Sequence, residues 1–144
     1  MYTYERSDDR LLAIELQREI ANDRLYVINN HFDSCEYKDI IKKCDLVYAE
    51  RMHVGVGAVS QGVPTIFITY SRKSVGMARL VYGEEAFKDF VVNVADIGGL
   101  SKEDVNTQLN NIGRAEDILN SNLSDIINAA QSKFNELIRD LKLV

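Results

Sequence analysis

The stretch "VPTIFITY", residues 63–70, most constrains the fold of this chain. Its apolar run is continuous rather than alternating, the mark of a strand buried on both faces of a parallel sheet. Pro64 suits the first residue of such a strand, where no ladder hydrogen bond is lost. Two further short runs, "DLVYA" at 45–49 and "FVVNV" at 90–94, read as strands of the same sheet. Between them lie helical stretches. The first, after residue 51, is rich in the small residues Gly55, Gly57, Ala58 and Ser60, predicts close approach to its neighbours, and has Gly62 as its C-terminal cap. The second spans Ser74 to Tyr82. Strands alternating with helices predict an α/β class: a Rossmann-like parallel sheet with helices on both faces.

Toward the N-terminus, Leu12, Ala13, Leu16 and Ile20 recur at helical spacing within 7–21, with Ser7 or Asp8 as N-cap. "RLYVIN", from Arg24, is β-branched and aromatic and predicts a further strand, followed by a helix from Glu36 to Lys43. The opening "MYTYE" reads as the remnant of a strand that would feed the first helix. Beyond the sheet, Ser101 with Asp104 three residues on predicts a helix start. A long helix follows from Arg114 to Leu141, with Leu119, Leu123, Ile126, Ile127, Ala130, Phe134, Leu137, Ile138 and Leu141 in one stripe. That stripe is expected to pack across the sheet or, if exposed, to mark an interface with a further domain or a homodimer.

The whole, 144 residues with 46% hydrophobic and 27% charged, is expected to be a single domain. With 17 basic and 22 acidic residues the net charge is −5, which speaks against a nucleic-acid partner. No run approaches the roughly 20 apolar residues of a membrane span. Cys35 and Cys44 fit neither a metal site nor a disulfide framework and read as reduced thiols of a cytoplasmic protein.

In a parallel sheet, ligands bind beyond the carboxyl ends of strands, where helix N-termini present unpaired N–H groups. "ERMH" at 50–53 occupies that place after "DLVYA". Arg51 brings a charged fork that matches phosphate or carboxylate, and His53 a donor whose charge can respond to a ligand. A spacing of two in extended backbone would point both the same way. The competing reading makes Arg51 a surface partner of Glu50 and His53 a polar first-turn residue; residue types alone leave both open. "TYSRK" at 69–73 leaves the next strand at the same edge, so that Tyr70, Ser71, Arg72 and Lys73 can address the same anion or simply cap a helix. His31 follows a predicted strand without basic partners and reads as a loop residue. "GVGAVSQG" is no dinucleotide fingerprint, since Ser60 stands at its third glycine position and no acid is suitably placed. No His, Cys or Asp cluster has metal-ligand spacing.

Taken together, "CDLVYAERMHVGVGAVSQGVPTIFITYSRKSVGM" resembles the C-terminal half of the polysaccharide pyruvyl transferase family. Arg51, His53, Gly62, Val63, Pro64, Tyr70, Lys73 and Gly76 carry the resemblance in order and spacing; Met52 stands where leucine is commoner, and Val54 where alanine is. The resemblance implies a fold similar to one half of a GT-B two-domain transferase, with residues 1–144 as the donor-binding half of a longer protein. It implies transfer of the pyruvyl group of phosphoenolpyruvate to hydroxyls of a cell-surface polysaccharide or its precursor, with no cofactor besides that donor substrate. Arg51 and His53 would be catalytic, and Arg51, Met52, His53, Tyr70, Ser71 and Lys73 would bind substrate. A saccharide acceptor would come through the second domain, and the work would be done in the cytoplasm or at the inner membrane face. The alternatives are the nucleotide-sugar half of a GT-B glycosyltransferase or epimerase, and a non-catalytic domain that binds an anionic metabolite.

Overall fold

A computed structural model describes residues 9–141; the expected Ser7 or Asp8 cap and the "MYTYE" strand lie outside the described residues. The chain divides into two compact units at the Asp33–Ser34 boundary.

In the first unit, α1 (Asp9–Ile20) ends where Ala21 turns left-handed at φ 45°. Asn22 then closes a tight turn, its side chain accepting from Arg24 N and its carbonyl from Leu25 N. The following residues run back along the helix. Gln17 Nε2 donates to Leu25 O at 2.8 Å, and Arg10 Nη1 lies 3.0 Å from His31 Nε2. The strand expected at "RLYVIN" does not form: these residues are irregular, and Tyr26 is 81% exposed. β-branched composition favours a pleated, half-buried surface but supplies no partner ladder, and here the contacts go to the side chains of α1 instead.

The second unit holds α2 (Ser34–Ile41), β1 (Val47–Ala49), α3 (Met52–Val59), β2 (Thr65–Thr69), α4 (Arg72–Ala86), β3 (Val91–Asn93), α5 (Lys102–Asn110) and α6 (Ile112–Asp140), with 3-10 turns on both sides of β3. The sheet has the order β1-β2-β3, all parallel. Thr65, Ile66, Phe67 and Thr69 of the central strand are buried, as the continuous apolar run predicts. Ala49 aligns with Phe67, and Tyr48 with Ile66, so the two pairs stand on opposite faces. α3 packs on the Phe67 face. A Cβ on Gly55 would overlap the Phe67 ring, which is why glycine stands there. Tyr48 on the other face donates to Gln108 Oε1 of α5 at 2.7 Å, so helices cover both faces.

α3 stops as expected. Val63 N bonds to Ala58 O and Gly62 N to Val59 O, with Gly62 at φ 75°, the paired bonds of a Schellman end. α4 is longer than Ser74–Tyr82, starts two residues earlier, and bends at Gly83 (φ 80°) into the turn that carries Phe87 and Phe90. Tyr82 of α4 stacks on Phe90 at 4.1 Å between ring centroids. Its hydroxyl accepts from Thr65 N and donates to Thr65 O, and burial pushes the phenol up to about 12. Of α6, Ala115 and Leu119 are buried in the core and Ile118 packs against it half-buried. Further along the same stripe Ile127, Phe134 and Leu137 are all more than half exposed.

Candidate functional site

Three parallel strands send all their carboxyl ends to one edge. Arg51 follows β1 by two residues, and Tyr70 follows β2 directly; the alignments Ala49 with Phe67 and Thr69 with Asn93 set these ends side by side. Neighbouring strands lie about 4.8 Å apart, and α3 packs against α4. Two helix N-termini therefore open next to each other.

Neither is capped by a side chain. Arg51 holds the N-cap position of α3 with extended backbone (φ −81°, ψ 121°) and offers no oxygen to the first N–H groups. Ser71 holds the N-cap of α4 (φ −145°, ψ 158°), where serine normally accepts from the second or third amide, and makes no such bond. The first turns carry no acid in either helix. They carry Arg72 and Lys73 in α4 and His53 in α3, all exposed. Each helix start is equivalent to roughly half a positive charge, so anions stabilise it and the cations Arg72 and Lys73 do the reverse. In a chain of net charge −5, this edge concentrates positive charge and orphan donors.

The residues that the resemblance marks as substrate-binding, Arg51, Met52, His53, Tyr70, Ser71 and Lys73, all lie at this edge. Arg51, His53 and Lys73 are exposed, Met52 and Ser71 half-buried, and Tyr70 71% exposed. The argument that Arg51 and His53 point the same way through an extended backbone does not hold, because His53 already lies in α3. Residues two apart on a helix do not share a face, and the pair instead brackets the first turn. His31 is engaged with Arg10 in the first unit. Cys35 and Cys44 are both exposed on the surface. Among the described residues no group of His, Cys, Asp and Glu could hold a metal ion, and no helix is long and apolar enough to cross a membrane.

Such an edge can hold a small, multiply charged anion: orphan amides meet its oxygens, and Arg51, Arg72 and Lys73 supply countercharge. The missing cap bonds were invisible in the sequence, since Ser71 has the ordinary residue type for a cap.

The family model described as polysaccharide pyruvyl transferase matches residues 1–72, which takes in Arg51, Met52, His53, Tyr70 and Ser71 and stops short of Lys73 and Gly76. The amylovoran biosynthesis protein AmsJ of Erwinia amylovora is 30% identical over 78 residues, 54% of this chain. The chain spans about a fifth of that relative's length, the matched part being 19% of it. No solved structure matches.

Proposed function

Because the chain belongs to the polysaccharide pyruvyl transferase family, we propose that its uncapped sheet edge is the donor site for phosphoenolpyruvate, in one half of a GT-B-like transferase. The observation that supports this reading is the pairing of two adjacent helix starts that lack side-chain caps and carry cations where acids normally stand. Phosphoenolpyruvate brings a phosphate and a carboxylate on three carbons, one anion for each helix start. Arg51 grips the phosphate or carboxylate, Lys73 adds charge, and Tyr70 and Ser71 donate hydrogen bonds. Met52, half-buried at the first position of α3, supplies apolar contact for the methylene.

The reaction forms two C–O bonds from acceptor hydroxyls to the enol carbon and breaks the bond from that carbon to the phosphate oxygen. One hydroxyl proton ends on the methylene, which becomes methyl, and the other leaves with phosphate. His53 is the residue of this edge suited to move a proton, and Arg51 to steady charge on the departing phosphate. A saccharide acceptor is in keeping with the family's description as polysaccharide pyruvyl transferase, and the relative AmsJ is named for amylovoran biosynthesis.

Titration of the purified chain with phosphoenolpyruvate, inorganic phosphate and a uridine diphosphate sugar, followed by amide NMR, tests this. Phosphoenolpyruvate is expected to bind more tightly than phosphate and to shift the amides of residues 51–54 and 71–74. Preference for the nucleotide sugar would replace this reading with a glycosyltransferase half. Equal affinity for phosphate and phosphoenolpyruvate would reduce it to a general anion binder.

A further inference from the structure

We propose that the cavity beside β3 is a saccharide subsite. It has a volume of about 310 Å3, small enough for about one sugar ring, and lies between β3 and α5 at the open edge of the sheet, where β3 has β2 as its one strand neighbour among the described residues. Its apolar wall is Val91, Val92 and Leu100.

The polar wall is arranged in a particular way. Asn93 Oδ1 accepts from Ala95 N at 2.9 Å, and Gln108 Oε1 accepts from the Tyr48 hydroxyl at 2.7 Å. With each carbonyl oxygen held, the two side-chain amides have their –NH2 groups left to donate. Thr107 donates its proton to Glu103 O at 2.9 Å and keeps its lone pairs for accepting. Lys88, Asp96 and Asn111, which also line the cavity, add a cation, a carboxylate and a third amide.

Charge decides against an anionic occupant. Asp89 is neutralised by Arg114 at 2.6 Å, which leaves Lys88 against the carboxylates of Asp96 and Asp104. A phosphate ester, a nucleotide or phosphoenolpyruvate would meet net negative charge here, unlike at the Arg51 edge. Fixed donors, fixed acceptors and an apolar strip in one small space match a pyranose, whose hydroxyls each donate and accept and whose C–H face is apolar. Asn93 is aligned with Thr69, the residue before Tyr70, so a saccharide seated here begins beside the proposed donor edge. The proposal rests on the transferase reading for why a saccharide is at hand; the chemistry of the wall stands independently of it.

Amide NMR of the chain titrated with methyl hexopyranosides, with glycerol and inorganic phosphate as controls, tests this. Saturable shifts are expected at Asn93, Thr107, Gln108 and Asn111 with a pyranoside and not with either control. Thr107→Val and Asp96→Ala should each weaken that binding by roughly three- to tenfold, the worth of one hydrogen bond, with the spectrum of the fold unchanged. Shifts elsewhere, equal shifts with glycerol, or binding indifferent to both substitutions would overturn the subsite. Binding of the pyranoside without binding of phosphoenolpyruvate would leave the subsite standing and remove the transferase reading. The converse result would do the opposite.

Discussion

Three helices of the second unit begin after an extended residue, and one is finished in a way the other two are not. At α5, Ser101 accepts from Asp104 N while the Asp104 carboxylate takes Ser101 N at 2.8 Å and its hydroxyl at 2.7 Å, a complete capping box. At α3 and α4 the caps are Arg51 and Ser71, neither side chain makes a cap bond, neither first turn holds an acid, and that of α4 holds the cations Arg72 and Lys73. The same backbone problem, orphan N–H groups at a helix start, is met by side chains at α5 and, on the reading proposed above, awaits an anion at α3 and α4.

The largest effect should come from breaking what places α3 at the sheet. Gly55→Val puts side-chain atoms into the fully buried Phe67 ring, which an ideal Cβ at this position already overlaps. Overpacking of this kind costs about 3 kcal/mol at the upper end of its usual range, read as a lowered denaturation midpoint. An unchanged midpoint would mean that α3 does not need its close approach. Next comes Arg51→Ala. Phosphoenolpyruvate binding should weaken by about 1.5–3 kcal/mol, the usual worth of a hydrogen bond to a charged group, while the denaturation midpoint stays in place. Lost stability with intact binding would reverse the roles assigned to the α3 and α5 starts.

The sheet was legible because its information is local: "TIFITY" is apolar without alternation and "GVGAVSQGVP" carries both a close-packing helix and its stop. "RLYVIN" misled for the converse reason. Its composition suits a strand, but a strand exists only through its neighbour, and Tyr26 and Ile28 stay exposed beside α1. The stripe of α6 was legible as a stripe, whereas how far the core reaches along it, to Leu119 and no further among its fully buried residues, depends on where the other elements end. At the site, residue types and spacing located Arg51 and His53 at a strand end. The orientation argument failed because the helix begins at Met52, one residue earlier than an extended reading allows. Asn93 and Gln108 carried no signal, since their roles depend on Ala95 N and Tyr48, the latter 60 residues away from Gln108.

Ser101→Ala should remove about 1 kcal/mol of stability and leave anion binding alone. It also carries a pH signature. The Ser101 hydroxyl and N–H hold the Asp104 carboxyl below its ordinary range. A carboxylate depressed in the fold stabilises it above the unfolded value, and that contribution is lost as pH falls through the folded value. Thermal melts of the native chain should therefore decline on the acid side by more than those of Ser101→Ala. Parallel declines would show that the capping box is not what separates α5 from the other two starts.

The smallest change in stability is the most direct test of the comparison. Ser71→Asp brings an acid to the start of α4, as α5 has in its first turn, here at the N-cap with a carboxylate able to accept from the orphan amides. If these amides are waiting for an anion, the new carboxylate supplies one from within. The fold should gain about 0.3–1 kcal/mol, since a negative charge now meets the helix dipole and the cations Arg72 and Lys73. Phosphoenolpyruvate affinity should fall at the same time, because the carboxylate both occupies the donors and repels the ligand. Ser71→Asn separates the two causes: it caps without charge, so its affinity should fall less than that of Ser71→Asp. Rising stability with unchanged affinity in both variants would show that the amides at the start of α4 take no part in binding, and the donor site would have to be drawn around α3 alone.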